Sequence, residues 1–130
     1  MEVWLSSRVI FNFNSSNVFS LYNINIGETL NEMMGYDNEI INLNDVRGEN
    51  GTLVMFICNH CPFVIHVNTE LVRMANDYVS KGISFVAISS NDVDNYPQDG
   101  PELMKENAKN YGYPFPYLYD ETQKVAKAYD

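Results

Sequence analysis

Long apolar runs are missing from this 130-residue chain: the longest, residues 52–57, falls far short of the roughly 20 residues a bilayer-crossing helix needs. Basic charge is scarce as well. Eight Lys and Arg face 17 Asp and Glu, a net charge of -9, and so acidic a surface repels phosphate backbones and anionic lipid headgroups. Nucleic acid and membrane partners are therefore excluded as expectations. Two cysteines are too few for a secreted disulfide scaffold. The first 27 residues carry only Glu2 and Arg8 as charges, and Asn12, Asn14 and Asn17 interrupt every apolar stretch that could serve as a secretory leader. The expected setting is a reducing cytoplasm. What is present, 45% hydrophobic residues over a length suited to one core, describes a globular single domain.

Charge becomes regular only after Gly27 and Glu28. Residues 1–28 are read as an N-terminal extension, either disordered or an extra edge strand, for which the alternation of Tyr22, Ile24 and Ile26 with Asn23 and Asn25 offers one segment. Residues 29–130 form the domain proper. Two short strands are predicted around the turn at residues 35–38, then a loop over residues 44–51 leads into the unalternating run 52–57, the mark of a strand buried on both faces. Pro62 opens a helix in which Val64, Val67, Leu71, Met74 and Tyr78 recur at helical spacing, ending at Lys81 and Gly82. A second buried strand follows over residues 83–88. Strand, helix and strand in this order make a crossover, and its two strands must be parallel. A polar loop spans residues 91–100, Pro101 begins a helix carrying Leu103, Met104 and Ala108, and residues 117–119 are a short strand. Asp120 followed by Gln123 predicts a capping box for a last helix. With no further strand after it, the domain is read as truncated at its C-terminus, its last strand lacking a neighbour on one side.

The chemistry concentrates in Cys58 and Cys61, three residues apart at the junction of buried strand and helix. A disulfide between them closes if Cys58 takes the non-helical cap position. There the helix N-terminus is expected to favour a thiolate, which makes Cys58 the nucleophile and Cys61, in the first turn, the resolving thiol. His60 lies between them and, if positively charged, favours the thiolate further. Weaker readings are a pair of structural cysteines and a zinc site drawn from Cys58, Cys61, His60 and His66, which are all the Cys and His in the chain. Asp92, Asp94 and Asp99 read as a solvated acidic loop, and Tyr111, Tyr113, Tyr117 and Tyr119 as packing and edge residues. No cofactor and no metal is called for.

The string at residues 56–63, Phe-Ile-Cys-Asn-His-Cys-Pro-Phe, stands with residues 42–48 upstream and 87–92 and 114–120 downstream. Together they resemble the thioredoxin-like, peroxiredoxin-like family of alkyl hydroperoxide reductases and thiol-specific antioxidants. The resemblance implies an α/β thioredoxin-like fold, a central mixed sheet flanked by helices, incomplete at the C-terminus. It also implies thiol redox activity, with Cys58 as the first motif cysteine and Cys61 as the second, a disulfide or peroxide as substrate and a thiol as reductant. Met55 stands where a peroxiredoxin carries Thr or Ser, and none of Pro62, Pro97, Pro101, Pro114 and Pro116 lies where the fold places its cis-proline. Disulfide exchange is thus expected ahead of peroxide reduction. The alternative is a non-catalytic thioredoxin-fold module or inactive fragment.

Overall fold

The computed structural model describes residues 9–12, 33–35 and 39–128. Its centre is the predicted crossover: β4 (Gly51–Phe56), α2 (Pro62–Val79) and β5 (Ile83–Ser89), with β4 and β5 parallel and paired in register from Gly51 with Ile83 to Phe56 with Ile88. β6 (Tyr117–Tyr119) adds a third parallel strand on β5. Antiparallel strands close both flanks. β1 (Val9–Asn12) lies along β4, and the hairpin of β2 (Met33–Gly35) and β3 (Ile40–Ile41) lies along β6, giving the order β1-β4-β5-β6-β2-β3.

The central strands are mostly apolar because each face has its own core. Leu53, Met55, Phe85, Ala87 and Tyr117 pack with Val64 and Ala75 of α2 and with Met104 and Ala108 of α3 (Pro101–Tyr111). Val54, Val86, Ile88 and Leu118 point the other way, onto Val125 of α4 (Lys124–Ala128) and onto Val46 of α1 (Leu43–Val46). Gly48 brings the chain into β4 where a Cβ would lie 2.1 Å from the Gly51 carbonyl oxygen and 2.6 Å from the Ser84 nitrogen, so no other residue fits. Among the described residues, no helix is long and apolar enough to cross a membrane.

Four local expectations are corrected. The strand over residues 117–119 is not left open on one side: β2 pairs with it, Met34 opposite Tyr119. The candidate edge segment at residues 22–26 lies outside the described residues. The loop over residues 44–51 begins in α1, where the Asp45 carboxylate accepts the Asn42 N–H at 3.1 Å and supplies the local side-chain bond that starts a turn of helix. On α2, Val67 and Tyr78 are exposed, and the inward position after Val64 is taken by Asn68, fully buried, whose Oδ1 accepts the Tyr113 hydroxyl at 2.7 Å. The Asp120–Gln123 capping box does not form. Gln123 adopts φ 59° and donates its side-chain amide to the Ser90 carbonyl, and α4 starts one residue later, with Asp120 Oδ2 accepting the Ala126 N–H at 3.0 Å. Asp120 therefore still caps α4, from further back.

Candidate active site

The Ile57 N–H still bonds to the Ile88 carbonyl at 3.0 Å, so Cys58 is the first residue past the β4–β5 ladder, at the carboxyl ends of the parallel strands. Open α/β sheets present their sites at that end. Cys61 is the N-cap of α2, with φ -66° and ψ 120°, and its carbonyl accepts the Ile65 N–H at 3.0 Å. Cys61 rather than Cys58 thus takes the cap, because Pro62 favours extended backbone in the residue before it and itself fits the first helical position, and Cys58, three residues earlier, still has the non-helical backbone that a bridge between the two needs. Both thiols are free and both are buried.

The electrostatics of Cys58 also differ from expectation. Burial, then the negative charge of Asp99, pushes the Cys58 thiol from 9.0 up to about 11. The N–H groups of Cys61 and His60 reach the sulfur and work in the opposite direction, with the smaller effect. The helix start contributes as expected, but desolvation and a neighbouring anion outweigh it.

Asp99 is the residue that sequence reasoning missed. It lies in a 3-10 turn, Pro97–Asp99, at the end of the loop after β5, and it is completely buried. Three donors and one ring nitrogen converge on its carboxylate. Oδ1 accepts the N–H groups of Asn59 at 2.8 Å and His60 at 3.1 Å; Oδ2 accepts the Asn91 amide at 2.9 Å and meets Nδ1 of His60 at 2.5 Å. The Asn59 side chain ties the same two loops together, donating to the Gln98 carbonyl at 2.9 Å and accepting the buried Tyr117 hydroxyl at 3.1 Å. Burial raises the Tyr117 phenol well above its ordinary value, so it stays a donor. The His60 ring stacks on Tyr96, with centroids 4.9 Å apart and planes 8° from parallel. Of the acidic loop, Asp92 and Asp94 are solvated as expected and Asp99 is not. A local signal for Asp99 was lacking, since its partners lie 39 and 40 residues upstream.

One ligand atom each from Cys58, His60 and Asp99 lies within 4.8 Å of the other two. His66, on the exposed side of α2, is not in that group. A tetrahedral zinc site places N and S ligands about 3.5 Å apart, so the three would have to draw together, and an Asp99 oxygen would have to give up a donor it already holds. The arrangement fits a hydrogen-bonded thiol site better than a metal centre.

The description of the AhpC/TSA family matches residues 27–130. The chain belongs to that family. Among solved structures, a conserved protein of Geobacillus kaustophilus is 50% identical with a TM-score of 0.75, the match covering 97% of this chain and 64% of that one. A protein of Sinorhizobium meliloti is 37% identical with a TM-score of 0.73, over 80% of this chain and 58% of that one. The chain thus spans less than two thirds of the length of either. A secreted disulfide oxidoreductase of Mycobacterium tuberculosis, 17% identical, aligns at a TM-score of 0.64 over 79% of this chain and 70% of its own, a likeness of fold alone. Among curated proteins nothing matches. The AhpC/TSA membership and the sheet order together establish the thioredoxin-like fold with a mixed central sheet.

Proposed function

We propose that this AhpC/TSA chain is a dithiol–disulfide oxidoreductase of reducing character. The observation that carries the reading is the placement of two free cysteines, Cys58 just past the β4 ladder and Cys61 as the cap of α2. Cys58 loses its proton and its sulfur attacks a substrate disulfide, forming a mixed disulfide while the far sulfur leaves and is protonated. The Cys61 sulfur then displaces the substrate's second thiol from Cys58 and leaves an intramolecular disulfide. The substrate has gained two electrons, which a thiol reductant returns to the protein. Peroxide is the lesser substrate, because Met55 lies in the buried strand and offers no hydroxyl beside Cys58. A reducing cytoplasm suits this chemistry.

The raised Cys58 thiol sets the direction. Strong oxidants of this fold stabilise the thiolate of the reduced form, and burial beside Asp99 does the reverse here. The potential should fall near that of thioredoxin, about -270 mV. Titration against dithiothreitol, with alkylated Cys58 and Cys61 counted by mass spectrometry, tests this. One reversible two-electron step in that region supports the proposal. Thiols that stay free under diamide oxidation would leave the non-catalytic module as the better reading.

A further inference from the structure

We propose that Asp99 is the positioning residue of this site, holding the His60 imidazole in the tautomer that leaves Nε2 free to take the Cys58 proton. The inference rests on the dithiol reading above and assigns a role to a residue outside the Cys-Asn-His-Cys string. An ionised carboxylate only accepts hydrogen bonds, so the 2.5 Å contact with Asp99 Oδ2 places the proton on Nδ1. Asp99 has no freedom to turn away. It is fully buried, and the N–H groups of Asn59 and His60 and the Asn91 amide pin both oxygens. Tyr96, stacked on the ring, fixes its plane. His60 keeps about a quarter of its side chain open (26%), so the same ring has access to solvent. One ring nitrogen of His60, one Asp99 oxygen and the Cys58 sulfur lie within 4.8 Å of one another, which puts ring and thiol in one site; the transfer from the sulfur to Nε2 is part of the proposal and runs through substrate docking or one water.

The proton then has a complete route. The Cys58 S–H proton passes to Nε2 as the sulfur pair forms the new S–S bond. The substrate S–S bond breaks, and its far sulfur takes the bonding pair and then the imidazolium proton. Asp99 stabilises the imidazolium while it exists, as the buried carboxylate does in other His–carboxylate pairs. The same negative charge opposes ionisation of Cys58, so its two effects on exchange have opposite signs and can be separated by experiment.

Asp99→Asn retains an oxygen for the two backbone N–H groups but presents an amide donor to Nδ1, which inverts the tautomer. The expected results, with hydroxyethyl disulfide as substrate at pH 7, are a loss of about 100-fold in kcat for Asp99→Asn and a similar loss for His60→Ala. The double variant should be no slower than His60→Ala alone, the mark of two residues acting as one unit. The Cys58 thiolate, followed by its ultraviolet absorbance, should form at lower pH in Asp99→Asn even as turnover falls. Nitrogen NMR of the unsubstituted protein should show His60 protonated at Nδ1, a readout that needs neither a variant nor turnover. Faster exchange in Asp99→Asn, a full additional loss in the double variant, or an Nε2–H tautomer in the unsubstituted protein would each overturn the assignment. Absence of a Cys58–Cys61 disulfide sinks the oxidoreductase reading instead, and the tautomer still decides whether Asp99 orients the ring.

Discussion

Cys58 shows how one residue's reactivity is settled by a balance that spacing does not reveal. Its backbone setting matches the motif: two N–H groups aim at the sulfur from the start of α2. Burial and Asp99 nevertheless win, and the thiol stands at about 11. Alkylation of reduced Cys58 by iodoacetamide should therefore rise with pH to a midpoint near 11, and a midpoint below 8 would show the helix start to dominate. The two cysteines and His60 were legible in the sequence because a strand end, a proline-opened helix and three chemistry-bearing residues fall within a handful of positions. Asp99 was not legible. A carboxylate among Asp92, Asp94 and Glu102 looks like any solvated acid until the fold sets its oxygens against the N–H groups of Asn59 and His60.

Among the elements, those with a strong period were the readable ones: β4, α2, β5, α3 and β6 stand where apolar runs, prolines and glycines put them. Interior assignments within them were less secure. Asn68 takes an inward position on α2 because Tyr113, brought over by α3, supplies its hydrogen bond, and helical periodicity alone favours Val67. The pairing of β2 with β6 joins residues more than 80 positions apart, which no local pattern encodes. The start of α4 supplies an element-level test. Asp120 is buried, and Oδ2 accepts both the Ser90 hydroxyl and the Ala126 N–H at 3.0 Å. Asp120→Ala leaves both donors unpaired and should lower stability by about 1–2 kcal/mol in urea unfolding, with little change in alkylation of Cys58. A change in Cys58 reactivity as large as the change in stability would instead join this corner of the sheet to the site.

For the whole molecule, buried groups that hold their protons tightly set an alkaline limit. Cys58 moves from 9.0 to about 11 on folding, chiefly by burial, and Tyr113 from 10.0 to about 12 for the same reason. Both folded-state values are raised, so the unfolded chain ionises first as pH climbs. Their contribution to stability is intact below pH 9 and is lost as pH rises from 9 to 12. Urea midpoints of the reduced protein should hold steady from pH 7 to 9 and then decline, while Cys58→Ala should postpone the decline by removing its earlier part. A midpoint that rises between pH 9 and 11 would contradict the sign. The ties from Asn59 and His60 to Asp99 also span some 40 residues of chain, and this orders events during synthesis. At about 5–20 residues per second, Cys58 precedes Asp99 out of the ribosome by roughly two to eight seconds. In that interval the thiol has neither the buried pocket nor the anion that later restrain it, and it ionises as an ordinary cysteine. The newborn chain is thus more open to oxidation than the finished one, and its safeguard begins with the turn at residues 97–99 and is completed when Phe115 and Tyr117 close the core around Cys58.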